Sequence, residues 1–324
     1  MLRGCKALLG AITLAVGLSG AAKAADWPSG PVEVIVPYAA GGGTDATARF
    51  LAQVFQEKLN QPFNVVNRTG GGGIVGLEAL VNAKADGSVI GVTSADLSTF
   101  KWFGQTTLTY RDVAMVGIYN MAFPTLMVAE DSPFKTAKEA FDAIKADPKK
   151  YKLHIGSSIG NSYHISFVGI AAAYGINPAE VPTVTGTGAV NGVQELAAGA
   201  VDFSLAALAE ADALMRSGKV RPLLVLGQEK ASAMPDLPTA KEALDVDWQF
   251  GVWRGVAAPK NTDPAVLEKM RTAFAEAYAT DQFKQLMSAQ GFDVFTVPQD
   301  QIEAFVDKSE AAAGEALKQI GVVK

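Results

Sequence analysis

Cysteine is almost missing from this chain and histidine nearly so, and each shortage closes a line of chemistry. The 324 residues hold one Cys and two His. The cysteine is Cys5, inside a stretch that reads as a removable leader, so the remainder has no thiol. Disulfides, thiol catalysis and a zinc site of the usual sulfur–nitrogen kind are therefore excluded. Long hydrophobic runs are also lacking, with one exception near the start, so no segment is expected to span a membrane. The exception is the uncharged run over residues 7–22, preceded by Arg3 and Lys6 and followed by Ala22-Lys23-Ala24. A basic start, a short apolar run and an A-x-A site describe a secretory signal peptide, cleaved after Ala24, so the mature protein is expected to be exported. No cysteine stands at the cleavage point to take a lipid.

Positive charge is scarce as well. The whole chain has 28 basic and 33 acidic residues, and loss of Arg3, Lys6 and Lys23 leaves 25 against 33. An exported chain with net charge −8 is a poor nucleic-acid binder. At 324 residues the chain is long enough for two domains.

What is present in abundance is glycine, placed where strands give way to helices. Residues 32–36 (VEVIV) read as a strand, Ala46, Phe50, Leu51 and Val54 recur at helical spacing, and Gly41-Gly42-Gly43 lies between. Strand, glycine turn and helix start together aim free N–H groups and a partial positive charge at one spot, which is the physics of an anion site. The pattern continues with a helix over 45–59, a strand over 63–67, Gly70–Gly73, a helix over 74–83 and a strand over 88–94. This βαβα order predicts a parallel sheet with ligands at the carboxyl ends of its strands.

A second unit follows. Strands are predicted over 125–129, 153–156, 181–185, 201–206 and 220–226, with helices over 136–146, 164–174, 191–198 and 207–217. The first of these helices opens on a Thr136/Glu139 capping box. Residues 248–258 are predicted to be extended, and two amphipathic helices, 264–279 and 299–320, close the chain.

Three enzyme-like signals stand beside blander readings. Gly41-x-Gly43-x-x-Ala46 fits the dinucleotide fingerprint, but Asn67-Arg68 stands where the ribose-binding acid belongs. Gly156-Ser157-Ser158-Ile159-Gly160 fits the nucleophile elbow, yet His154 and His164 are the only histidines and neither lies far enough downstream for a hydrolase triad. Serine hydroxyls and N–H groups holding a carboxylate explain the same residues better. Asp45 and Asp202 form a conceivable catalytic pair, although a helix cap and a strand-end residue are the simpler roles. Trp248 and Trp253 suit either a pocket wall or a core, and Arg49, Arg68 and Arg254 either a ligand carboxylate or the solvated surface.

Taken together, residues 36–49, Val66–Gly76, Ala85-Asp86-Gly87, Gly156–His164, Gly186–Gly188, Gly199–Asp202 and Asp236-Leu237-Pro238-Thr239 resemble the Bug family of periplasmic solute-binding proteins, receptors of tripartite tricarboxylate transporters. The resemblance implies an α/β fold with two lobes, a type II periplasmic-binding-protein (Venus-flytrap) architecture. It places lobe I at 25–123 plus 227–324 and lobe II at 124–226, with hinges near 123–124 and 226–227. It implies no catalysis, no cofactor and no metal, but a small di- or tricarboxylate or related organic acid held between the lobes. Carried over by position, the ligand-binding set is Tyr38, Gly42, Gly43, Thr44, Asp45, Gly73 and Ser94 from one lobe. The other lobe contributes Ser158, Gly160, Asn161, Ser162, Gly186, Thr187, Gly188 and Asp202. Ala40, Thr69 and Ala189 stand where the family often has proline, and each such change frees a backbone N–H. The implied partners are the membrane permease subunits of such a transporter, with the receptor itself a monomer. A secreted hydrolase using Ser158 and the receptor of an ABC importer are the alternatives.

Overall fold

The structure is a computed structural model that describes residues 27–321 apart from 105 and 290. The expected leader and its cleavage point lie outside the described residues. In chain order the elements are β1 Val32–Val36, α1 Gly43–Leu59, β2 Phe63–Asn67, α2 Ile74–Val81, β3 Val89–Ser94, β4 Val113–Ala122, β5 Thr125–Ala129 and α3 Ala137–Ala146. There follow β6 Leu153–His154, α4 Ser162–Ala173, β7 Thr183–Val184, α5 Ala189–Ala197, β8 Phe203–Ala206, α6 Leu208–Arg216, β9 Val220–Val225 and α7 Ala240–Leu244. The chain closes with β10 Val252–Pro259, α8 Pro264–Ala279, α9 Asp281–Ala289 and α10 Ile302–Gln319.

Two five-stranded sheets organise the molecule, in the orders β2-β1-β3-β10-β4 and β7-β6-β8-β5-β9. Within the first, β1 runs parallel to β2 and β3, as strand–helix–strand connections require. The second repeats the arrangement, with β6 parallel to β7 and β8. Neither sheet is purely parallel, however. β10 lies antiparallel between β3 and β4, and β5 lies antiparallel between β8 and β9. In each sheet four strands thus run one way, as the βαβα order predicts, and the single reversed strand, β10 in the first and β5 in the second, is the one that arrives from the other sheet.

The chain crosses between sheets at residues 123–124, where β4 ends and β5 begins. It does not return at 226–227. Leu237, Ala240, Leu244 and Val246 remain in the core under the second sheet, so the return falls between Val246 and β10. The expected lobe boundary at 226/227 therefore cuts through one packed unit, because α7 buries its apolar face on β9 and α3.

Three apolar clusters hold the whole together: one under the second sheet, and one on each face of the first. The last of these is shared. Ile165 and Val168 of α4, from the second unit, pack with Ile302, Val306, Ala313 and Leu317 of α10 and with Trp253 of β10. Each such side chain fully removed from water contributes about 1.5–3 kcal/mol, so this contact ties the two units along one side. Trp253 is a core residue, fully buried, with its Nε1 donating to Ser309 Oγ at 3.2 Å.

Candidate functional site

The loops after β1, β3, β6, β7 and β8 converge where the two sheets face each other, and a cavity of about 320 Å³ opens between them. Its first wall is the glycine turn and the start of α1. Gly43 lets two side chains approach closely: a Cβ there would lie 2.9 Å from Arg254 Nη2 and 3.1 Å from Glu210 Oε1, and both would have to shift. The turn is braced from behind by Asp45, whose carboxylate accepts from Gly41 N–H at 2.9 Å, from Asn67 Nδ2 at 2.8 Å and from Arg49 Nε at 3.0 Å. Burial pushes the Asp45 pKa upward, but the Arg49, Gly41 and Asn67 hydrogen bonds outweigh it and hold it below the usual carboxylate range.

Tyr38 roofs this wall. Its hydroxyl donates to Asp96 Oδ2 at 2.7 Å and lies 2.7 Å from Ser94 Oγ. Burial and the adjacent Asp96 charge raise the phenol well above its ordinary pKa, which keeps it a proton donor. Behind it Gly73 holds a positive φ of +114°, and a Cβ there would press on the Tyr38 ring at 3.1–3.2 Å.

Two further helix starts complete the cavity. At α4, Asn161 caps the N–H groups of Tyr163 and His164, and the first N–H, that of Ser162, donates to Asp96 Oδ1 at 2.7 Å. At α5, Gly188 is the N-cap and no side chain caps the helix; Thr187, Gly188, Ala189, Val190 and Asn191 all border the cavity. The start of α1 is treated differently. Gly43 N–H donates across the cleft to Glu210 Oε1 at 3.1 Å, while Glu210 Oε2 accepts from Tyr163 Oη at 2.8 Å and Ala207 N at 2.9 Å. Burial and the Glu210 charge drive the Tyr163 pKa upward, so it too stays protonated.

Arg254 is the cation of the site. Only 2% exposed, it donates through Nε to Thr44 Oγ1 at 3.1 Å and through Nη1 to Asn120 Oδ1. Burial opposes its charge, but Tyr163, Glu210 and Tyr119 around it raise its pKa overall.

The expected residues divide into two groups. Tyr38, Gly42, Gly43, Thr44, Ser94, Asn161, Ser162, Thr187 and Gly188 border the cavity. Asp45 and Gly73 stand behind its wall, and Gly160 donates its N–H to His164 Nδ1. Ser158 borders a neighbouring depression with Ile159 and Thr185. Gly186 donates its N–H to Gly156 O at 2.7 Å, beside the His154 ring. Asp202 is away from the cleft altogether: it is exposed, just before β8, and its carboxylate accepts from Lys152 N at 2.8 Å. Its placement in the ligand set is corrected on that ground, since the cavity lies at the opposite ends of these strands. Asp96, Tyr163, Asn191, Gln194 and Glu210 enter the cavity wall without having been expected there.

The nucleophile-elbow signal dissolves in the same geometry. His164 Nδ1 accepts from Gly160 N–H at 2.9 Å and burial lowers its pKa to about 4, while His154 Nδ1 accepts from Gly156 N–H at 3.1 Å. Among the described residues no hydrogen bond links either ring to Ser158, so neither serves it as a base. No group of three or more His, Cys, Asp or Glu that could hold a metal occurs among the described residues.

This two-sheet clamp with helix starts at its mouth has counterparts. The sequence pattern of TctC, described as "Tripartite tricarboxylate transporter family receptor", matches residues 47–322. The chain belongs to the TctC family. It is 28% identical to a UPF0065 protein of Bordetella pertussis, over 96% of each chain. The periplasmic binding protein BugD superposes with a TM-score of 0.81 at 27% identity, covering 92% of this chain and all of that one. Rpa4515 of R. palustris, solved with adipate, superposes at 0.83 over 91% and 99% of the two chains; at 22% identity that likeness speaks to the fold. TctC members are receptors and periplasmic binding proteins rather than enzymes, and this chain has their two-lobed α/β architecture.

Proposed function

We propose that this chain captures a small organic carboxylate in the cavity between its two lobes and delivers it to the membrane permease subunits of a tripartite tricarboxylate transporter. The observation that carries the reading is the cavity itself, where the starts of α1, α4 and α5 converge from both sheets. Helix starts with backbone donors and hydroxyls bind carboxylates without needing a cation for each. The adipate bound by the R. palustris protein supports the same class of ligand. The first lobe comprises 27–123 with the segment from β10 onward, and the second 124–246, moving about the two crossings as ligand is gripped. The protein acts as an exported monomer, free of its leader.

Thermal unfolding against a panel of carboxylates tests this. A ligand that binds only the folded state adds about 2.7 kcal/mol of stability at a hundredfold excess over its Kd. A raised midpoint with one chemical class is the expected result. No shift with any carboxylate, measured on protein stripped of co-purified ligand by unfolding and refolding, overturns it.

A further inference from the structure

The charged groups lining the cavity are Asp96, Glu210 and Arg254: two anions and one cation. The pairing among them is unequal. Glu210 lies close enough to Arg254 to raise its pKa, and both approach Gly43 from the same side. Among the described residues no salt bridge joins either acid to a lysine, arginine or histidine, but Arg254 and Glu210 meet beside Gly43, whereas the partners of the Asp96 carboxylate are the neutral donors Tyr38 Oη and Ser162 N–H. Yet Asp96 is only 5% exposed and fastened in place by Tyr38 Oη and Ser162 N–H, one from each lobe. Both of its oxygens accept, and each keeps a second lone pair for another donor.

A buried carboxylate without a cation is costly unless something else supplies the charge. A second ligand carboxylate would meet like charge from Asp96, and at the start of α1 it would compete with Glu210 for Gly43 N–H and Arg254. The start of α5, which also borders the cavity, has no side-chain cap. The lining therefore offers an acid at Asp96 and uncapped backbone donors at α5.

We propose that the ligand is a zwitterion, a small monocarboxylate bearing an ammonium group, with the ammonium received by Asp96 and the carboxylate by the uncapped start of α5. This rests on the carboxylate-receptor reading above and narrows it. Asp96 then sets specificity by attracting ammonium and repelling a second carboxylate, and Glu210 reinforces the repulsion.

Calorimetric titration with four ligands of equal carbon number isolates the charge: 2-aminobutanoate, 4-aminobutanoate, butanoate and succinate. At least one amino acid is expected to bind about tenfold or more tighter than both butanoate and succinate, and its N-acetyl derivative to lose that advantage. In Asp96→Asn the preference for the amino acid over succinate should collapse by a similar factor. Should that variant fail to fold, the wild-type comparison of free and N-acetylated ligand decides alone. Tighter binding of succinate than of either amino acid overturns the zwitterion proposal and leaves the receptor reading standing. Absence of binding by all four ligands, and by a wider panel of amino acids and carboxylates, overturns both.

Discussion

The starts of α1 and α5 face one cavity and offer the same backbone chemistry, yet the protein uses them in opposite ways. At α1 the first N–H is already taken by Glu210 from the other lobe, with Arg254 alongside; at α5 no side chain caps the helix. The glycine turn at α1 is the stronger anion-site signal in the sequence, and the structure fills it with an internal carboxylate. A helix start is therefore a statement about donors, and whether they serve a ligand depends on which side chains the fold brings opposite.

Arg254 is where the contrast between the two helix starts breaks most completely. Arg254→Ala removes a buried cation and leaves Asn120 Oδ1 and Glu210 without it, so equilibrium urea unfolding should register a loss of about 3 kcal/mol or more. Glu210→Ala is milder: Gly43 N–H and Tyr163 Oη lose their acceptor, for about 1–3 kcal/mol in the same measurement. It should also make α1 resemble α5, so dicarboxylates gain affinity by calorimetry; unchanged affinity would show that Glu210 never competed with them.

A smaller effect concerns how the α1 turn is braced. The Asp45 pKa is depressed in the folded protein, so its contribution is present above the unfolded value of about 3.8. That contribution is lost as pH falls through the folded value. Acid unfolding should therefore lose one component in Asp45→Asn, whose stability should fall less steeply below about pH 4 than the wild type's. Smallest of all is Ser158→Ala. Because Ser158 borders the neighbouring depression rather than the cavity, carboxylate affinity should change by less than about threefold on the general scale of surface substitutions. A hundredfold loss would return Ser158 to the binding wall.

Much of this was legible because local chemistry and fold agreed. The β-branched run of β1, the short apolar segments of β2 and β5 and the Pro264 start of α8 mark those elements at their observed bounds. β4 was not legible. Buried along most of its length on both faces, it shows no alternation, and its Gly117 exists to admit the Phe274 ring, where a Cβ would meet it at 2.2 Å. α7, of five residues, is too short for periodicity to declare. In the site, glycine and hydroxyl residues announced themselves through motif. Glu210 did not, since its helix begins at Ala207 rather than a serine or threonine, and its partner Gly43 is 167 positions away. Asp202 erred the other way: a strand-end acid whose strand was correctly placed but whose end was the wrong one.

The position of β10 has a consequence for the order of assembly. It fills the gap between β3 and β4 of the first sheet, yet it is synthesised only after the whole second sheet and α7. A chain emerging from its amino end can thus finish the second lobe while the first still has an open seam with unpaired strand edges. Contacts so distant in sequence form late, and exposed edges invite mispairing in the interval. Closing that seam must wait until residue 259 arrives, so pairing of β10 is expected to be a late folding event, and lengthening the chain between β4 and β10 should slow refolding.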